Sequence, residues 1–140
     1  MVFTDREDRI LVTDLVTGAT GEVSVEHRFF APFFTPSGSI VSPSLDGGIW
    51  LFDGEEAISV GPGDSPAWWV EEDRLVFIRT TDDGQRLLTS DLWSWNREEG
   101  AVRLSETPDV LETSPTPVAG GIYYVDAASD RPGFLEAAPK

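Results

Sequence analysis

A chain of 140 residues with 40% hydrophobic side chains and five tryptophans has enough apolar surface for one folded domain, which sets it apart from disordered sequences. Its 25 acidic residues against 10 basic ones give a formal net charge of −15, a field that repels phosphate backbones and anionic lipids and argues against nucleic-acid and membrane partners. There is no cysteine, which excludes disulfides and thiolate metal sites, and no apolar run approaches the roughly 18 residues of a bilayer span.

The first stretch, "MVFTDREDRILVTDL", reads as two short strands about an acidic turn. It has neither the basic start nor the long apolar run of a signal peptide, so a cytoplasmic protein is expected, or a periplasmic or secreted one had a leader been removed. "VTGATGE" (16–22) reads as a turn leading into a strand "VSVEHR". Next, "APFFTPSGSIVSPSLDGGIWLFD" (31–53) sets Ala-Pro, aromatics, a polar turn, an apolar strand, an Asp-Gly turn and a strand ending in Asp53 in that order. "SPAWWVEEDRLVFIRTTDDGQRLLTSDL" (65–92) follows the same order, and "SPTPVAGGIYYVDAASDRPGFLEA" (114–137) follows it again. "LDGG" (45–48) and "DDG" (82–84) are predicted hairpin turns, since Asp-Gly accepts the positive φ of a type I′ turn. "WSWNREEG" (93–100) reads as a loop leading into "AVRLSE". Pro32, Pro66 and Pro115 are each expected to open a strand, where a missing N–H costs no ladder bond. No window holds a 3.6-residue apolar period, so the chain is all-β.

The repeated order is the main signal. Aligned second strands begin at Met1, Ile40, Leu75 and Ile122, at spacings of 39, 35 and 47 residues. These lie near the about 40–45 residues of a four-stranded propeller blade. The repeats run approximately 1–26 and 108–140, both partial, with 27–60 and 61–107 between them.

On these residues the chain resembles the TolB-like (PD40, WD-like) β-propeller repeat. Pro66-Ala67-Trp68 matches the opening of that family's blade, and Thr35-Pro36-Ser37-Gly38 its Ser-Pro-Asp-Gly turn. Leu75-Val76-Phe77 fills the place of its Ile-Ala-Phe strand. Asp5 to Asp8 and Ser129 to Gly133 stand for its Ser-x-Arg-Asp-Gly turn, while Ile10–Asp14, Ile49–Asp53 and Leu87–Asp91 take the place of its Ile-Tyr-x-x-Asp. The lysine of the family's turn is missing throughout, and Val70 to Glu72 replace the usual turn in the best copy. The resemblance implies radially arranged four-stranded blades that bind proteins or small ligands at a channel mouth, or that gate a peptidase. Fold alone does not carry either function.

Naming the innermost strand of a blade A, the chain would run B-C-D, A to D twice, then A-B and perhaps C. The all-β fold so implied is a β-propeller with about three four-stranded blades per chain, which cannot close alone and would leave sheet edges exposed. Met1 at a strand start and a polar "EAAPK" end favour a chain that associates with itself, two copies completing a six-bladed ring, over a piece of a longer propeller.

Other motifs carry less. "SLDGGIW" (44–50) nearly matches the Asp-box of sialidases, itself a hairpin. The groups Asp5/Glu7/Asp8, Glu71/Glu72/Asp73 and Asp82/Asp83 lack the spacing of a calcium loop and read as solvated turns. His27, the one histidine, has no Gly-x-Ser-x-Gly elbow to serve and reads as a loop cap or an acid partner near Glu26. "GPGDS" (61–65) and "GATGE" (18–22) lack a phosphate-binding Lys-Ser/Thr. Within Phe29/Phe30, Phe33/Phe34 and Trp68/Trp69, alternation points one ring of each pair inward.

Loops entering the innermost strands nominate Arg28, Asp64 and Glu112 as ligand contacts. Trp93 and Trp95 form a candidate aromatic platform for a sugar. No catalytic residue, metal ligand or cofactor is assigned. The expectation is a non-enzymatic binding scaffold whose first partner is itself, with a protein or carbohydrate ligand beyond it. The alternatives are the propeller of a hydrolase or peptidase and a lectin-like propeller. The Lys-poor acidic surface also suits high salt, where screening removes self-repulsion, as in a halophile.

Overall fold

A computed structural model describes residues 1–23, 27–82, 84, 85, 87–105 and 110–137. They form fourteen strands in four antiparallel sheets, and among the described residues there is no helix. The chain divides into two compact units, Met1–Pro62 and Gly63–Lys140. In the first, β1 (Val2–Thr4), β2 (Ile10–Thr13) and β3 (Thr20–Glu22) make one sheet; β4 (Phe33–Phe34), β5 (Ile40–Pro43), β6 (Gly48–Asp53) and β7 (Glu56–Pro62) make another. In the second, β8 (Asp64–Trp69), β9 (Arg74–Asp82), β10 (Leu87–Asn96) and β11 (Gly100–Arg103) precede β12 (Glu112–Val118), β13 (Gly121–Asp126) and β14 (Arg131–Glu136). Within every sheet, each strand pairs with its neighbours in sequence.

The expected run of three, four, four and then two or three strands is met by sheets of three, four, four and three strands. What differs is "RPGFLE", whose Arg131 to Gly133 were expected in a turn and not in a strand. It forms one nonetheless, because β14 is an edge and a proline there interrupts no outer ladder. A four-stranded blade shared between two copies would take two strands from each. The first and last sheets each already hold three.

Register fixes which residues are equivalent. Ile40 lies opposite Phe52, Leu75 opposite Trp95 and Ile122 opposite Leu135. Leu92–Asn96 is thus the counterpart of Ile49–Asp53, and the placing of Leu87–Asp91 there is one turn of the pattern too early. The same pairing corrects the loop expected at 93–100, since β10 runs unbroken through Trp93 and Trp95 to Asn96. Among the described residues the last strand of the first sheet is Thr20–Glu22; the strand expected over "VSVEHR" falls in part on residues 24–26, which lie outside them. Part of the turn at 82–84 lies outside them too.

Pro32 stands just before β4, whereas Pro66 and Pro115 fall inside β8 and β12, at irregularities of their ladders. Ala31, Ser65 and Ser114 take φ of 47°, 52° and 51°, each just before a proline. The β8 and β12 ladders shift register at these points, between Asp64 and Ala67 and between Thr113 and Thr116. A non-glycine residue at positive φ is uncommon and bulky ones are strained there, which explains the small Ala and Ser. Proline then supplies a residue with no N–H to satisfy inside the bulge.

The core follows from strand alternation. In the first unit Ile10, with Val2 and Val12, packs against Phe29, Ile40, Phe52 and Trp50, and the Phe29 and Phe52 rings meet edge-on at 5.6 Å. In the second, Trp69, Val76, Ile78 and Leu92 of one sheet pack against Ile122, Tyr124 and Leu135 of the next. The Trp69 indole N–H also donates to the Val118 carbonyl at 2.8 Å. Both units use the same positions: the earlier sheet offers one face and the later sheet the opposite one.

Candidate functional site

The chemistry-bearing residues of this chain sit at inner-strand starts and on one face of the β8–β11 sheet. Arg28 is exposed and forks onto Asp8, Nε at 2.9 Å and Nη2 at 2.6 Å. Its main-chain carbonyl accepts the Leu45 N–H at 2.8 Å. Asp64, half-buried, accepts the Ser65 hydroxyl at 2.8 Å. Glu112 is fully buried, its main-chain carbonyl taking the Ser90 hydroxyl. The three do not occupy equivalent positions, and Arg28 belongs to the first unit while Asp64 and Glu112 belong to the second.

Glu112 lies across the ladder from Asp126. The Asp126 carboxylate accepts the N–H groups of Leu111 at 3.1 Å and Ala128 at 3.0 Å, and the Ser129 hydroxyl at 2.8 Å. These donors, the Leu111 N–H foremost, hold its carboxyl below the ordinary aspartate value. Burial, then the charges of Glu112 and Asp126, push the Tyr124 hydroxyl up. Asp14 and Asp5 use the same device in their turns, each accepting two backbone N–H groups. Stability from such a depressed carboxyl is complete above its unfolded value and is lost as pH falls through its folded one. Wild type is therefore expected to exceed Asp126→Asn in stability at pH 6, with the gap closing below about pH 4. Urea midpoints across pH 2–6 check this. A gap that stays constant would mean the charge contributes nothing.

Trp93 and Trp95 sit on one face of β10 and not in a loop. Trp95 is buried and Trp93 half-buried. The Arg79 guanidinium lies 4.2 Å from the centre of the Trp93 ring and 5.4 Å from that of Phe77, and burial holds Arg79 below its ordinary value. On the same face the buried Asp91 pairs with Arg103, whose Nε reaches the Ser105 carbonyl at 2.9 Å. This cluster went unread in the sequence. Its signal is the alternation Asp91, Trp93, Trp95 across from Arg79, Phe77, Leu75.

His27 finds its acid in Asp46, Nδ1 to Oδ2 at 3.2 Å, while Glu26 lies outside the described residues. Its ring lies against that of Trp50, centres 5.0 Å apart and planes tilted by 36°. Ser44 also donates to Asp46, and that hydroxyl is the chief reason the Asp46 carboxyl sits low. The carboxylate is thus central, whereas a hydrolytic triad needs the imidazole in the middle. Residues 44–48 close a hairpin, Ser44 N–H to the Gly48 carbonyl at 2.8 Å. Trp50 and Trp93 are equivalent in register, and each carries a planar nitrogen-bearing group on its ring. Of the paired aromatics, Phe29 and Trp69 enter the cores while Phe30 and Phe34 are exposed. Among the described residues no three His, Asp or Glu side chains gather as metal ligands, and no helix is long and apolar enough to cross a membrane.

No protein-family model matches the chain, and no curated protein is similar to it in sequence. Among solved structures, the crystal structure of the tricorn protease is similar at 14% identity and a TM-score of 0.41, over 95% of this chain and 21% of that one. The chain therefore spans about a fifth of the length of that protein.

Proposed function

We propose that this chain is an array of propeller-type blades, of the kind the TolB-like repeat builds, acting as a non-enzymatic scaffold that assembles with a second copy of itself. The observation that carries the reading is the repetition of one packing rule: sheets in sequential antiparallel order, stacked through the same positions in both units. Sheets of this size bury only the faces they share with a neighbour, so an array needs neighbours at its ends. The polar groups support a structural role as well. Asp5, Asp14, Asp46 and Asp126 are engaged in building turns. Two copies bring eight sheets to the assembly, four of them three-stranded.

Mass photometry and sizing in moderate salt test the assembly, and a dimer or larger closed species is expected. A panel of ester, peptide and glycoside substrates is expected to show no turnover; activity that co-purifies with the chain through several steps would overturn the scaffold reading. A glycan array is expected to be blank through Trp93, because Arg79 already covers a face of that ring. Sugar binding abolished by Trp93→Ala would instead establish the lectin-like alternative.

A further inference from the structure

We propose that the outward face of the β12–β14 sheet receives the outward face of the β1–β3 sheet of a second copy. This rests on the self-association reading above and names its surfaces. The register makes Val41, Val76 and Tyr123 equivalent, and likewise Leu51, Ser94 and Phe134. Val41 and Val76 are 0% exposed, whereas Tyr123 is 53% exposed. Leu51 and Ser94 are buried, whereas Phe134 is 45% exposed. Tyr123 and Phe134 pair across the strands, ring centres 4.7 Å apart, with Val125 beside them, also exposed. The last sheet thus shows water an aromatic patch at positions that are buried in the two sheets before it.

The opposite face repeats the pattern at the other end. Met1 occupies the position of Ile40, Leu75 and Ile122, which are buried in their sheets, yet it is 58% exposed. Phe3 and Leu11 face each other in register on the same side and are half-buried. In both units, the earlier sheet's Val76-type face meets the later sheet's Ile122-type face. The free Val76-type face is Tyr123, Val125 and Phe134; the free Ile122-type face is Met1, Phe3 and Leu11. A second copy supplies the matching surface, and contact is head-to-tail, so two such contacts can close a pair. With −15 on each copy, association is expected to tighten as salt is added.

The test uses two variants and their mixture. Tyr123→Glu/Phe134→Glu spoils one face and Phe3→Glu the other, each placing charge in an apolar contact, with an expected loss of about 100-fold or more in affinity. Thr20→Arg, exposed and on the Phe3 face beside Thr13, does the same without touching any core residue, and far-UV circular dichroism and urea midpoints confirm folding. Each variant alone is expected to be monomeric, and a one-to-one mixture is expected to form a heterodimer through the intact face of each. If the aromatic double variant still assembles, the patch is not the contact. If Phe3→Glu and Thr20→Arg both still assemble, the last sheet meets something other than the first. Either result overturns the inference and leaves self-association standing. A wild type that stays monomeric up to about 100 μM, a concentration that populates even weak dimers, sinks both.

Discussion

Phe29→Ala is expected to lower stability by about 4 kcal/mol, within the range for removing a fully buried phenylalanine. Phe29 has no exposed surface, stands edge-on to Phe52 and joins Ile10 to Ile40 in the first unit. The neighbours cannot close the gap, because its backbone is tied on both sides. The Phe29 N–H donates to the Asp8 carbonyl at 2.8 Å, and the residue bridges to Ser44. A loss of that size is a large share of the roughly 5–15 kcal/mol that keeps a domain folded. Urea unfolding followed by tryptophan fluorescence measures it, with Trp50 reporting on the same core. A cost below about 1 kcal/mol would mean that this cluster is not the core of the first unit.

Gly121→Ala is expected to be nearly as damaging, by about 3 kcal/mol, at the upper end for overpacking. A Cβ built on Gly121 would fall 2.3 Å from the Leu135 carbonyl oxygen and 2.5 Å from the Phe134 ring. The ring could swing aside, but a ladder carbonyl cannot move without parting β13 from β14. Gly133→Ala offers the comparison. Its Cβ would meet the Tyr124 ring at 2.3 Å, a side chain and not a ladder carbonyl, so a smaller cost is expected there. Equal costs in the two variants would show that the backbone clash is not decisive. Differential scanning calorimetry on both separates the cases.

The sequence made the strands and their order legible because Ile, Val, Phe and Trp alternate with polar residues between Gly and Asp turns, a local signal. It also placed the equivalence of Met1, Ile40, Leu75 and Ile122 correctly, since register follows the apolar positions. What it hid was longer in range. Asp91 imitates the Asp that ends a strand at Asp14 and Asp53, so the third copy was read several residues early. Its true counterpart is Asn96, whose Oδ1 takes the Glu99 N–H as Asp14 takes that of Val16. "RPGFLE" was hidden because its Arg131 to Gly133 resemble the family's turn, whereas they open β14. The candidate ligand contacts were chosen by loop position, which does not distinguish an exposed Arg28 from a buried Glu112. Cation–π stacking of Arg79 on Trp93 depends on pairing two strands in register, which composition does not reveal.

The strictly sequential pairing of strands has a consequence for how such a chain is made and altered. Among the described residues every ladder joins strands consecutive in sequence, so hairpins can form as the polypeptide leaves the ribosome, without waiting for distant partners. A whole sheet could then be gained or lost by duplication or deletion of a stretch of gene, leaving the remaining ladders intact.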